Sequence, residues 1–380
     1  MAAAGAVGAG MPRWVTVGLL PVVNLLAALA VSGVVILLIG ENPLRAMLIL
    51  VKGAFGWQEG IGYTLYYTTN FLFTGLAVAV AFHCGLFNIG GEGQAYLGGL
   101  GVGLVCLYFD FLPFILVLPL AIIGAIVFGS IWAFIPGYLQ ARRGSHVVIT
   151  TIMFNFIAAT VMVYLLSRVL IKPGQMSPES REFLSHTWLP FMHQALGWFG
   201  IDFARSPLNL SFLLALLSGV FVWLFIWHTR WGYEIRTVGA NKEAAVYAGI
   251  SVPRNMMLAM AISGGLAGMM GLNEIMGVNH RLLLNFTAGY GFVGIAVSLM
   301  GRSHPVGIFL ASLLFGALYQ GGAELAFEIP KISRDMVVVI QGLVILFAGA
   351  LEFLFLPYVA FFFRVREPAD AAPADAAPAE

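Results

Sequence analysis

Long apolar stretches follow one another along most of the chain, separated by short polar or glycine-rich connections. A helix that crosses a membrane needs about 20 mostly apolar residues, each adding 1.5 Å of length. The pattern predicts an all-α polytopic membrane protein with about ten transmembrane helices, the third and eighth being short enough to be partial or broken. The predicted segments are 14–39, 61–84, 94–109, 112–135, 147–170, 208–227, 255–277, 288–300, 305–323 and 335–363.

The polar connections divide the chain further. Residues 1–13 read as an N-terminal tail, 14–363 as the transmembrane domain, and 364–380 as a disordered C-terminal tail, because its Ala-Pro-Ala-Asp repeats have little to bury. We expect 171–207, the largest hydrophilic stretch, to be an external loop with some structure of its own.

Residues 41–60 combine apolar positions at helical spacing with a separate basic face that holds Arg45 and Lys52. This predicts an amphipathic helix on the membrane surface. The apolar positions are Leu44, Met47, Leu48, Val51 and Phe55.

Composition supports the membrane class. Hydrophobic residues make up 60% of the chain and charged residues only 10%, whereas soluble domains are charged at roughly a quarter of positions. The net charge of +1 gives no reason to expect nucleic-acid binding. Cys84 and Cys106 fall in apolar segments, and the seven histidines follow no metal-ligand spacing. We therefore expect no disulfide framework, no metal site and no cofactor in this chain.

The distribution of lysine and arginine bears on orientation. The positive charges divide almost evenly between the two sides, but the long 171–207 loop counts little in the positive-inside rule. Discounting it favours cytoplasmic N- and C-termini.

The run from Asn88 to Gln94 places three glycines, two amides and a carboxylate at or near membrane depth. Such groups are costly in lipid unless protein or a water-filled path surrounds them. One interpretation is a tight or re-entrant turn beside a solute path, with Asn88 capping the third helix and Glu92 near its positive end. The other is a glycine-rich turn needed only for packing, with Glu92 paired to a neighbour. The residues alone do not separate these readings.

The connection 230–254 contains signals for a short helix outside the hydrocarbon, at about 242–248. Asn241 suits the N-cap, Glu243 the first turn and Gly249 the position after the helix, while Pro253 prevents continuation. A compact helix there can fit a groove on a partner and transmit its movement, although an ordinary connecting helix has the same signals. The candidate coupling residues are Asn241, Lys242, Glu243, Ala244, Ala245 and Gly249.

Isolated polar residues also occur inside predicted helices. Glu274 is a candidate for the solute pathway, because an intramembrane carboxylate is by default a functional hypothesis. For Asn24 and Asn70 we expect a structural role, because intramembrane asparagines more commonly form interhelical hydrogen bonds than line a pathway. The candidate pathway residues are Asn88, Glu92, Gln94, Asn155 and Glu274.

ATP hydrolysis through a P-loop is excluded, because none of the four lysines follows a glycine. We expect a transport subunit without an ATPase site of its own.

A family resemblance covers most of residues 41–350. The segment GLFNIGGEGQ at 85–94 resembles the signature of bacterial ABC-importer permeases of the ribose/branched-chain-amino-acid type, and more narrowly their nucleoside (guanosine-type) branch. The segments GANKEAAVYAGI at 239–250, GGLAG at 264–268 and GYGFVGIAV at 289–297 extend it.

This resemblance implies a ten-helix permease of the bacterial inner membrane with both termini in the cytoplasm. It implies an ATP-binding-cassette subunit, a second homologous permease chain as heterodimer partner, and a basic-membrane-protein-type lipoprotein that delivers the solute. It places the coupling region at 241–250 and gives Asn88, Glu92 and Gln94 a role at or beside the translocation path.

The sequence thus predicts the membrane subunit of an ATP-driven importer for a nucleoside or similar small polar solute. An ABC permease for simple sugars, a proton-coupled secondary transporter using Glu92 or Glu274, and a structural or assembly protein are the alternatives.

Overall fold

The structure, a computed structural model, describes residues 15–347. Within that range it is helical without a named strand. Short π-helical turns, Val15–Leu19 and Leu165–Val169, adjoin α1 and α6, and a longer one, Leu272–Asn279, follows α11. The α-helices are α1 (Leu20–Leu38), α2 (Pro43–Phe55), α3 (Gln58–His83), α4 (Gly91–Tyr108), α5 (Phe114–Arg143), α6 (Val147–Tyr164), α7 (Met192–Gly197), α8 (Ser211–His228), α9 (Arg230–Ala240), α10 (Lys242–Tyr247), α11 (Val252–Gly268), α12 (Tyr290–Met300), α13 (Pro305–Glu328) and α14 (Arg334–Ile345).

Six stretches among the described residues are long and apolar enough to cross a membrane. They comprise α3, α5, α6 with its π turn, α8, α11 with its π segment, and α13. A seventh is counted if α1 and α2, which meet at a sharp bend, are taken as one span. The helical class is thus confirmed with six to seven spans, while the count of ten stays a prediction. Much of the predicted last segment, 335–363, and both predicted tails lie outside the described residues.

The chain forms two compact units. One contains Leu44–Val337 and therefore nearly all of α2 to α13, and the other contains α1 and residues 338–345 of α14. In the larger unit α3 is central: it packs against α8, α11, α12 and α13 and buries most of its side chains.

Glycines allow the helices of the larger unit to approach closely. A Cβ atom added to Gly98 of α4 would lie only 2.1 Å from the Cα atom of Gly268 at the end of α11. One turn earlier in α11, a Cβ atom on Gly264 would lie 2.3 Å from the carbonyl oxygen of Gly129 in α5. Small residues at such crossings are what membrane helices use to bring backbones together.

Helix α2 differs from the amphipathic helix predicted over 41–60. It ends at Phe55, and α3 begins at Gln58 after a short break. Its small residues Ala46 and Gly53 are buried, and Gly53 lies against α13, whereas Leu44 is 75% exposed. The small side chains give the close fit, and the large apolar ones point away from this unit.

Candidate functional site

The turn before α4 is closed by amide side chains. The buried Asn88 amide donates to Gln94 Oε1 at 2.9 Å and to Ser263 Oγ of α11 at 2.8 Å. Asn88 Oδ1 accepts from the Gly90 N–H at 2.9 Å and from Gln94 Nε2 at 3.0 Å. The prediction that Asn88 caps the third helix is wrong: α4 begins at Gly91, Gly90 occupies the N-cap, and Asn88 folds the turn that precedes it.

Asn155, in the middle of α6, attaches that helix to the same turn. Its Oδ1 accepts from the Gly93 N–H and its amide donates to the Ile89 carbonyl, both at 2.9 Å. Thr151 Oγ1, one turn earlier, accepts from the Ile89 N–H at 3.3 Å. Asn88, Gln94 and Asn155 therefore form one site, which we call the amide cradle.

Glu92 connects the start of α4 to the start of α12. Its carboxylate accepts from the backbone N–H groups of Gly289 and Gly291 at 2.9 and 2.8 Å. A carboxylate there complements the free N–H groups and the positive end of a helix. Gly291 is required, because a Cβ atom at this position would lie 2.3 Å from the Glu92 nitrogen.

Glu274 lies in a second polar network, within the π segment that follows α11. It is 4% exposed, and its Oε1 accepts from the Tyr66 hydroxyl at 2.5 Å and the Asn70 amide at 2.6 Å, both on α3. Asn279 donates to the Glu274 backbone carbonyl at 2.8 Å and to the carboxylate Oε2 at 3.4 Å. The carboxylate is thus held by several donors, as a buried charge or acid requires.

The Glu274 network continues to α8. Asn273 donates to Asn70 Oδ1 at 2.8 Å and accepts from Asn209 and Ser211 at 2.8 and 2.9 Å. Asn70 thus has the interhelical role expected from the sequence. Tyr66, Asn209 and Ser211 were missed, because nothing in their local sequence marks them as partners of residues some 60 to 200 positions away.

Helical structure is interrupted over residues 280–289, between the π segment and α12. We call residues 272–289, which are the π segment and this interruption, the broken span. His280, Asn285 and Ala288 adopt left-handed backbone conformations, which are uncommon for residues other than glycine. The connection 171–207 covers the interruption: the Phe183 N–H donates to the His280 carbonyl at 2.8 Å, and the Trp188 ring stacks on His280 at 3.9 Å. The predicted external loop therefore contains structure that holds the broken span.

The predicted coupling helix is α10. Asn241 Oδ1 accepts from the N–H groups of Glu243 and Ala244 at 2.9 and 3.0 Å, which is an N-cap. Gly249 adopts φ +74°, and the Ile250 N–H donates to the Ala245 carbonyl at 2.9 Å, which closes the helix end. Lys242, Glu243 and Ala244 are exposed, whereas Ala245 is buried.

The tip of α10 is apolar and exposed. Tyr247 is 94% exposed and Val246 is 64% exposed. The preceding α9 is fixed to the transmembrane helices, because Asn255 at the start of α11 donates to Glu234 at 3.1 Å. This hydrogen bond, with help from Arg230, lowers the pKa of Glu234 despite the opposing effect of burial.

Among residues 15–347, no group of three or more histidine, cysteine or carboxylate side chains is placed to hold a metal ion. The arrangement consists of two polar networks inside a helical bundle, a broken span, and an exposed helix on a rigid base.

The chain is similar to several curated permeases. It is 37% identical to the guanosine ABC transporter permease protein NupP of Bacillus subtilis, over 87% of this chain and 93% of the relative. It is 34% identical to the glucose ABC transporter permease protein TsgB13 of Haloferax volcanii, over 95% of each. It is 32% identical to the nucleoside ABC transporter permease protein NupB of Lactococcus lactis, over 87% of this chain and 90% of the relative. No solved structure matches.

Residues 60–349 match the family described as branched-chain amino acid transport system / permease component. This range includes the amide cradle, the Glu274 network, the broken span and α10. The chain therefore belongs to this family of membrane permeases.

Proposed function

We propose that the protein is the membrane subunit of an ATP-binding-cassette importer that moves a nucleoside or similar small polar solute across the bacterial inner membrane. Two of the relatives described above are named for guanosine or nucleosides. The proposal includes ten crossings with both termini in the cytoplasm, and a chain that holds no ATPase site.

The observation that carries this proposal is the construction of α10. A six-residue helix is marginal by itself, yet this one is capped at both ends and anchored through buried Ala245, with Val246 and Tyr247 projecting. A rigid base with an apolar aromatic tip is suited to a groove on a partner protein. We assign that groove to an ATP-binding-cassette subunit, whose closure moves α10 and the helices attached to it.

The same proposal names the other partners. They are a second, homologous permease chain in a heterodimer, a basic-membrane-protein-type lipoprotein that delivers the solute, and the surrounding membrane lipid. No nucleic acid takes part. Asn88, Glu92, Gln94, Asn155 and Glu274 line or border the path, and their hydrogen bonds maintain its shape.

The test is ATP-dependent guanosine uptake by the chain co-expressed with its companion subunits. Tyr247→Ala should abolish coupling: the complex should lose most uptake and retain less ATP-binding subunit on purification. Tyr164→Ala is the matched control, because Tyr164 is likewise an exposed tyrosine, at 62%, but lies in α6 and not in α10. Uptake by the purified chain alone, driven by a proton gradient without ATP, would contradict the proposal and support the secondary transporter.

Simple sugars are the second candidate solute class, because one close relative is named for glucose. The same assay separates the two. Guanosine uptake that unlabelled nucleosides reduce but hexoses and pentoses do not supports the first candidate, and ATP-dependent glucose uptake without guanosine uptake supports the second.

A further inference from the structure

Three tyrosines from three helices meet beside the Glu274 network. Tyr67 of α3 lies 6.3 Å from Tyr290 of α12 and 5.6 Å from Tyr319 of α13, measured between ring centroids, and Tyr290 lies 6.1 Å from Tyr319. We call these three residues the tyrosine cluster. Neither the sequence patterns nor the described similarities assign it a role.

The position of these tyrosines along their helices is unusual for this residue type. Tyr67 and Tyr319 lie near the middle of two membrane-spanning helices, whereas tyrosine in membrane proteins is enriched at the membrane–water interfaces. Both side chains are only partly buried, whereas Phe71 and Phe315 behind them are fully buried. Partly exposed phenols at this depth fit a surface that meets a polar solute or a water-filled path better than one that meets lipid.

The rings are held in place from behind. Phe71 packs edge-on against Tyr290 and Tyr319 at 5.5 and 4.9 Å. Tyr66, next to Tyr67, is fixed by its hydrogen bond to Glu274, and Tyr290 begins the helix whose N-terminus Glu92 binds. Both pathway carboxylates therefore serve to position the cluster. A binding surface that is already ordered loses less entropy when it takes its ligand.

The chemistry of the cluster indicates its ligand class. Aromatic faces stack on planar heterocycles, and phenol hydroxyl groups offer both a donor and an acceptor. The two carboxylates nearest to it are occupied by donors of the protein itself. Such a surface suits a neutral ligand with a flat ring and hydrogen-bonding edges better than a simple sugar, whose saturated ring offers only C–H groups to an aromatic face.

Resting on the proposed importer function, we propose that Tyr67 and Tyr319, supported by the buried Tyr290, form the surface on which the heterocyclic base of the transported nucleoside stacks. The cluster thereby selects base-bearing solutes over sugars during translocation. The amide cradle and the Glu274 network set the positions of the rings.

The first experiment measures the initial rate of guanosine uptake at saturating guanosine in cells that contain the complete importer. Tyr67→Leu and Tyr319→Leu should each lower this rate about tenfold, the loss expected when one base–aromatic stack is removed. Tyr67→Phe and Tyr319→Phe keep the ring and should retain most of the rate. Tyr164→Leu, at an exposed tyrosine of α6, should have no effect. Equal amounts of assembled complex in the membrane are verified by immunoblot.

A second measurement does not depend on transport. Tyr319→Cys, made with Cys84 and Cys106 replaced by alanine, should react with a small thiol reagent in the assembled complex, and guanosine should slow that reaction while glucose should not. Tyr164→Cys should show no protection.

The outcomes are distinct. Leucine variants with wild-type uptake rates, or equal protection of Tyr319→Cys by guanosine and glucose, would overturn the assignment of the cluster while leaving the importer function intact. A wild-type complex that imports glucose and not guanosine would overturn both the nucleoside assignment and this inference.

Discussion

Glu92 and Glu274 are both carboxylates in apolar surroundings, yet their neighbours give them different roles. Glu92 accepts from two backbone N–H groups at the start of α12, so it acts as a helix-terminal anion. Glu274 accepts from side chains of α3 and so connects α3 to the broken span. Residue type alone could not distinguish these roles, because each depends on which distant donors the fold supplies.

Replacement of Glu274 should separate a structural role from proton coupling. Glu274→Gln keeps the oxygen that Tyr66 and Asn70 share, so ATP-driven uptake should continue and the free energy of unfolding should change by about 1 kcal/mol or less. Glu274→Leu leaves those buried donors unpaired and should destabilise the protein by about 2–4 kcal/mol. Unfolding in detergent, followed by tryptophan fluorescence, measures both.

Glu59→Leu is the control for this pair of variants, because Glu59 is an exposed carboxylate in the first turn of α3. It should change the stability by less than about 1 kcal/mol. If Glu274→Gln abolished uptake without changing stability or assembly, titration of Glu274 would be part of the transport cycle and the structural interpretation would be wrong.

At the scale of elements, the close helix crossings depend on residues without side chains. The glycines at 98, 99, 101 and 103 predict close helix contacts, and a Cβ atom added at each of them would lie within 3 Å of a neighbouring segment. The partner could not be predicted, since many helices of this chain contain glycine. Gly98 meets Gly268 of α11, whereas Gly103 meets Leu282 in the broken span.

Gly98→Ala should therefore destabilise the protein by about 1–3 kcal/mol, because its methyl group would collide with backbone that cannot move aside easily. Gly219→Ala is the matched control: Gly219 is also a helical glycine, but a Cβ atom there would meet nothing closer than 4.0 Å. It should leave stability unchanged or raise it by up to about 1 kcal/mol. Similar unfolding midpoints for both variants would show that the crossing is looser than described.

At the scale of the whole molecule, the order of the spans predicts on which side of the membrane each connection lies, because two connections separated by one span lie on opposite sides. Arg143 at the end of α5 and Ser185 in the loop after α6 are both exposed, and one membrane-spanning stretch, Val147–Val169, separates them. We therefore expect them on opposite sides of the membrane. The proposed orientation puts Arg143 in the cytoplasm and Ser185 outside.

Cysteine labelling tests this orientation. With the two native cysteines replaced by alanine, Ser185→Cys should react with a membrane-impermeant maleimide in intact cells. Arg143→Cys should react only after the cells are permeabilised. The reverse pattern would invert the orientation, and labelling of both in intact cells would argue against α6 as a crossing.

The short helix outside the membrane was predictable in detail, because its signals are local. Asn241 and Gly249 act through hydrogen bonds within a few residues, and the observed helix Lys242–Tyr247 nearly coincides with the predicted one at 242–248. The N-cap role predicted for Asn88 was wrong because its hydrogen-bond partners are not all local. An asparagine before a glycine-rich helix has several possible acceptors and donors, and Ser263 and Gln94 competed successfully for its amide.

By itself the sequence determined the helical membrane class, the family and the positions of α10 and of the glycine-rich turn. These follow from apolar length, capping chemistry and residue spacing, all of which act over short distances along the chain. Only the tertiary structure decided which helices Glu92, Asn155 and Glu274 join, and that Tyr67, Tyr290 and Tyr319 meet. Those contacts bring together residues separated by tens to hundreds of positions, and the packing of whole helices sets them.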